Sequence, residues 1–115
     1  MKLDETVCEA CLPEAEKLSD ELTSKFLNEN NSWSIVTHKN VKKLEKNFQF
    51  KNFIEALKFT NMVADMAERE GHHPSIILEY GSVTVRWWSQ KLEGIHEKDT
   101  VLSIKTDKFF EDFIK

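Results

Sequence analysis

The chain has 115 residues, of which 40% are hydrophobic and 31% charged, the balance of one ordinary globular domain and not of two domains or a disordered polymer. A domain of this length buries roughly two thirds of its unfolded surface, so folding requires neither a disulfide nor a structural metal. Sixteen basic residues against twenty acidic ones leave a net charge of −4, which lacks the electrostatic footprint of a phosphate-backbone binder and argues against nucleic acid as a ligand.

Residues 1 to about 15 read as a flexible N-terminal arm, and residues 16–115 as a single domain. Met1-Lys2-Leu3-Asp4-Glu5 lacks the apolar segment of a signal peptide, and no run reaches the roughly 18 apolar residues of a membrane span. The expected compartment is therefore the cytoplasm, with no membrane partner. Both cysteines, Cys8 and Cys11, fall in the arm as one CxxC. That pair alone supplies neither four zinc ligands nor the strand and helix of a thioredoxin motif, so it reads as two free thiols ahead of an intermolecular metal site.

Ser19 can cap a helix running to about Asn28, with Leu18, Leu22, Phe26 and Leu27 at helical spacing. A short strand follows, in which Trp33 and Ile35 alternate with Ser34 and Val36, and His38-Lys39-Asn40 reads as a turn. The next strand places Leu44, Lys46, Phe48 and Phe50 on one face and Lys43, Glu45, Asn47 and Gln49 on the other, the pattern of a half-buried antiparallel strand. Phe53, Ala56, Leu57, Thr60, Val63, Ala64 and Ala67 then recur at helical intervals. Asn52 and Glu55 form a potential capping box at its start, and Gly71 and Pro74 end it. Two β-rich runs, Ile76–Tyr80 and Val83–Trp88, meet around Gly81-Ser82 as a hairpin, and a last helix spans about Glu97 to Phe113. The order αββαββα predicts an α+β fold: one four-stranded antiparallel sheet with three helices packed on one face.

The chemistry-bearing residues concentrate in Glu68-Arg69-Glu70-Gly71-His72-His73-Pro74. Adjacent residues diverge on a helix or strand, so joint action of His72 and His73 needs irregular backbone, which Gly71 and Pro74 provide. Two imidazoles at one cleft can divide acid and base roles near neutral pH, although surface or capping histidines are the commoner reading of such a doublet. The other histidines, His38 and His96, complete no HxH or HExxH spacing, and a metal site ranks below a metal-free acid/base site. Glu68 sits where an acid opposes the helix dipole, whereas Asp99 stands near a helix N-terminus where a carboxylate is stabilised without any catalytic role. Trp87 and Trp88 face opposite ways on a strand, one toward the core and the other toward a cleft or subunit interface. Lys39, Lys42, Lys43 and Lys46 read as a solvated basic run.

From Phe48 through Asp99 the sequence resembles the pterin-4a-carbinolamine dehydratase (4a-hydroxytetrahydrobiopterin dehydratase) family. The resemblance rests on Phe48-x-Phe50-x-Asn52-Phe53-x-x-Ala56, on Glu68 followed by His72-His73-Pro74 and Tyr80, on Val83–Trp88, and on Gly94-Ile95-x-x-x-Asp99. Two positions depart from the family pattern: Gln90 stands where a third histidine is usual, and Gly71 where an aspartate often precedes the doublet.

The resemblance implies loss of water from 4a-hydroxytetrahydrobiopterin to give the quinonoid dihydropterin, with no metal and no organic cofactor. It implies His72 and His73 as catalytic residues and Glu68, Pro74, Ser89, Gln90 and Asp99 as substrate-binding residues. It further implies a homodimer or homotetramer, a link to an aromatic amino acid hydroxylase through tetrahydrobiopterin recycling, and, as the alternative function, a non-catalytic protein-binding or assembly module on the same fold.

Overall fold

The computed structural model describes residues 15–114. The expected arm, with Cys8 and Cys11, lies almost wholly outside those residues. Helix α1 covers Asp20–Glu29, with the Ser19 hydroxyl accepting the Leu22 amide at 3.2 Å and Asp20 and Glu21 complementing the dipole in the first turn. It ends at Asn30, whose side-chain and backbone N–H groups both donate to the Phe26 carbonyl. Strands β1 (Ser34–His38) and β2 (Val41–Gln49) form a hairpin whose two loop residues, Lys39 and Asn40, have φ of 52° and 67°. Positive φ at both positions matches the right-handed twist of the strands. Trp33, expected on the strand, lies just before it and is buried.

Helix α2 (Phe53–Glu70) begins at Asn52, whose side chain accepts the Glu55 amide at 2.9 Å. Strands β3 (Ser75–Glu79) and β4 (Ser82–Trp87) turn through Tyr80 and Gly81, and α3 (Glu97–Ile114) closes the chain. A Cβ on Gly81 would stand 2.8 Å from the Phe50 carbonyl oxygen, so this turn needs glycine to dock on the end of β2. The strand order is β1-β2-β4-β3, antiparallel throughout, with α2 carrying the chain from one side of the sheet to the other.

The register sets Leu44 opposite Trp87 and Phe48 opposite Val83, so one parity of the sheet buries Leu44, Phe48, Val83, Val85 and Trp87. Ala56, Phe59, Val63, Met66 and Ala67 of α2 and Leu102 of α3 complete this core. Phe48, Phe50, Phe59, Phe110 and Phe113 contact one another as tilted or edge-on pairs, with centroids 4.8–6.2 Å apart. Lys46 shares the core-facing parity and is not solvated with the other lysines. Its ammonium lies 2.6 Å from Asp107 Oδ1, while Asp107 Oδ2 accepts the Trp33 indole N–H at 2.9 Å. The aliphatic stem can therefore be buried because its charged end has a partner. The opposite face of the sheet is polar, with Arg86 bonded to Glu45 and Asn47 to Thr84.

Candidate active site

The end of α2 sets the two histidines apart. Gly71 adopts the left-handed conformation (φ 64°), its amide donates to the Glu68 carbonyl, and the His72 amide donates to the Ala67 carbonyl. This double closure is a Schellman motif, which reverses the chain within two residues. His72 turns inward and is 5% exposed, whereas His73 stays on the surface.

Each imidazole meets its own carboxylate. His72 Nε2 lies 2.6 Å from Asp99 Oδ1, and its ring stacks on Trp87 at a centroid distance of 6.0 Å. His73 Nε2 lies 2.6 Å from Glu68 Oε1, in a pair whose side chains are 58% and 76% exposed. Against an ionised carboxylate, Nε2 of each ring is the donor.

Asp99 is fully buried, and its second oxygen accepts the Ser89 hydroxyl and the His96 backbone amide, each at 2.9 Å. His96 Nδ1 in turn accepts the Lys98 amide at 2.9 Å. His96 thus caps α3 through the Lys98 amide, while Asp99, at the third helical position, reaches back to the His96 amide as the acid of a capping box does. One carboxylate both closes the helix and holds His72. Burying that charge is tolerable only because three donors surround it.

Beyond Trp87 the chain leaves the regular strand. Ser89 and Gly94 pair as an isolated antiparallel bridge, and Gln90 opens the turn between them, its carbonyl accepting the Glu93 amide. Gln90 is therefore a turn residue, three positions beyond the end of β4. A cleft of about 110 Å³ forms between this turn and the α2–β3 corner, lined by Gly71, His72, His73, Trp88, Ser89, Gln90 and Lys91.

Of the residues singled out in the sequence, His72, His73, Ser89 and Gln90 meet at this cleft. Glu68, Asp99 and Pro74 do not line it: Glu68 and Asp99 act on the histidines, and Pro74 leads into β3. His96 faces the N-terminal side of α1, beside Leu18 and Leu22, not the doublet. Trp88 and Lys91 are wall residues, the first legible as the outward tryptophan and the second carrying no sequence signal. A larger groove of about 500 Å³ runs between α1 and the β1–β2 end of the sheet and contains no histidine. Among the described residues, no group of three or more His, Cys, Asp or Glu side chains is arranged to hold a metal ion.

Fold and site together define an α+β domain with a two-histidine, two-carboxylate centre at a helix–strand corner. The chain belongs to the pterin 4 alpha carbinolamine dehydratase family, whose sequence pattern matches residues 16–109. It is 48% identical over 109 residues to a Saccharophagus degradans protein named "Putative pterin-4-alpha-carbinolamine dehydratase", covering 95% of this chain and 96% of that one. Two solved structures share the fold. A transcriptional coactivator/pterin dehydratase from Brucella melitensis superposes with a TM-score of 0.73 at 23% identity, over 82% of this chain and 98% of that one. A pterin dehydratase-like protein described as a RuBisCO assembly factor in the alpha-carboxysome gives 0.58 at 21% identity, over 69% and 89%.

Proposed function

We propose that the protein dehydrates 4a-hydroxytetrahydrobiopterin to the quinonoid dihydropterin. Family membership supports the reaction class, and the observation that carries the reading is the pair of imidazoles at one cleft, each set by a carboxylate. The 4a-hydroxyl leaves as water after gaining a proton, and the proton on the neighbouring ring nitrogen is removed as the C4a–N5 double bond forms. No electrons are exchanged, so the step calls for an acid and a base and for no metal or organic cofactor. His72 and His73 share these two transfers. Ser89 and Gln90 border the substrate, while Asp99 and Glu68 orient the imidazoles. Gln90 donates and accepts hydrogen bonds without titrating, so it orients the pterin only.

Following decay of 4a-hydroxytetrahydropterin by stopped flow tests the proposal. Acceleration over the spontaneous reaction is expected, and its absence removes the dehydratase reading. In the cell we assign the protein to cytoplasmic recycling of the reduced pterin used by an aromatic amino acid hydroxylase. No helix among the described residues is long and apolar enough to cross a membrane.

A homodimer or homotetramer is part of the same proposal. Its support is the pair of open sheet edges, β1 and β3, together with exposed Ile77 and Tyr80 on and beside β3. The tryptophans add less than their sequence implies: Trp87 is fully buried, and Trp88 is half-covered within its own chain. A monomer mass in light scattering at micromolar concentration rejects the oligomer. The second functional reading, a non-catalytic assembly module, rests on Gln90 in the third-histidine position and on the assembly-factor description of one structural neighbour. Stoichiometric capture of a protein partner, with no pterin binding in calorimetry, would favour it.

A further inference from the structure

The cleft is far smaller than the roughly 300–1,000 Å³ of a typical ligand pocket, so at about 110 Å³ it admits only the reacting edge of a bicyclic pterin. The remainder of the ring must lie against the rim. Trp88 supplies the largest flat surface there. Extending the β2–β4 register past Leu44 and Trp87 sets Lys43 opposite Trp88 on the open sheet face. The Lys43 ammonium stands 3.9 Å from the indole centroid. Trp88 lines the cleft and Lys43 does not, so the cation holds the indole from outside the cavity.

We propose that Trp88 is the stacking wall of the pterin site, with Lys43 as the positioning residue behind it. The inference rests on the dehydratase reading and adds to it a residue that selects flat heteroaromatic ligands. The pyrimidinone half of a pterin is electron-poor and, once C4a is trigonal, planar, and base-like rings of this kind stack on indole. Loss of the 4a-hydroxyl converts C4a from tetrahedral to trigonal, so the ring flattens as the reaction proceeds. An aromatic wall therefore gains contact toward the transition state, the direction that favours catalysis.

The test uses the full chain with 6-methylpterin, a flat and stable probe, in calorimetry, alongside turnover of 4a-hydroxytetrahydropterin. Trp88→Leu is expected to weaken binding about tenfold, as loss of one base–aromatic stack does, and to lower kcat/KM by at least as much. Trp88→Phe restores both to within about threefold, because it keeps a ring. A folded Trp88→Leu variant with unchanged affinity and kcat/KM overturns this assignment and leaves the dehydratase reading standing. Probe binding lost in Trp88→Leu, combined with a parent protein that does not accelerate dehydration, supports the wall and removes the dehydratase reading; no probe binding by the parent overturns the wall itself. Should the leucine variant not fold, Trp88→Phe decides: it is expected to bind the probe but lose most of the quenching of indole emission, and undiminished quenching overturns the assignment.

Discussion

Asp99→Asn separates the two duties of the buried carboxylate. The amide keeps the size of the side chain and one acceptor oxygen, which can serve the Ser89 hydroxyl and the His96 amide. Its NH2 group then occupies the place of Oδ1, 2.6 Å from His72 Nε2 in the parent protein. Two N–H donors cannot face each other, so the imidazole must move its proton to Nδ1. A reversed tautomer in an otherwise intact site costs on the order of 10²–10⁴ in turnover. Stability falls as well. Removing a buried ionised partner outright costs about 3–5 kcal/mol, but asparagine preserves the cap geometry, and about 2 kcal/mol is the appropriate figure. At about 4 °C per kcal/mol for a chain of this size, Tm drops by about 8 °C. Steady-state dehydration kinetics and calorimetric melting, both well below the variant's Tm, measure the two effects separately. A variant that melts lower but turns over within threefold of the parent would refute the positioning role of Asp99 and leave it a helix cap alone.

Gln90→His is expected to raise turnover, and His73→Ala to lower it by about 10²–10⁴, far more than Gln90→Ala, in the same dehydration assay; comparable losses in the two alanine variants would contradict the division between titrating and orienting residues. His96→Ala should cost about 1 kcal/mol of stability through the lost cap and leave the rate nearly intact, since the ring lies on the α1 side of the helix start; if it is the most damaging change to turnover, the site is misassigned. Glu70 accepts from Lys98 at 2.5 Å and from Lys105 at 3.0 Å, which hold its carboxyl down from 4.5 to about 2. Its folded value is the lower one, so the stabilisation is present above pH 4.5 and is lost as pH falls from about 4.5 to 2. Screened at a partly exposed site it amounts to about 1 kcal/mol, and Glu70→Gln should flatten that limb of the acid-denaturation curve.

The fold was legible wherever a backbone requirement and a side-chain pattern coincided. Ser19 and Asn52 cap the helices they precede, Gly71 stops α2, and the parity of Leu44 and Phe48 names the buried face of β2. Each of these depends on neighbours within one turn or one strand, which is the range over which periodicity carries information. Lys46 shows the limit. Its charge reads as solvent-facing until Asp107, distant in sequence on α3, is known to meet it, and a local pattern holds no record of such a partner. The Ser89–Gly94 bridge escaped for the same reason, being a single pairing without a run to announce it.

At the site, the residue types were readable but their division of labour was not. The doublet announces itself by its Gly and Pro flanks, and the family pattern adds Glu68, Ser89, Gln90 and Asp99. What the sequence cannot express is that Asp99 lies behind His72 with no part in the cleft wall, because that follows from docking the start of α3 beneath the end of β4. The consequence is mechanical coupling: one carboxylate ties the start of α3 to the buried imidazole, its Oδ2 accepting from Ser89 and the His96 amide and its Oδ1 facing His72. Fraying of the first turn of α3 would release His72, so dehydration should decline in step with loss of helix capping rather than with global unfolding. His73 has no such tie. Its carboxylate partner sits on the exposed last turns of α2, where solvent and salt screen the pair, so Glu68 orients its ring less firmly than Asp99 does His72. The site thus joins one imidazole held in the interior to one held by a solvent-screened pair at the surface.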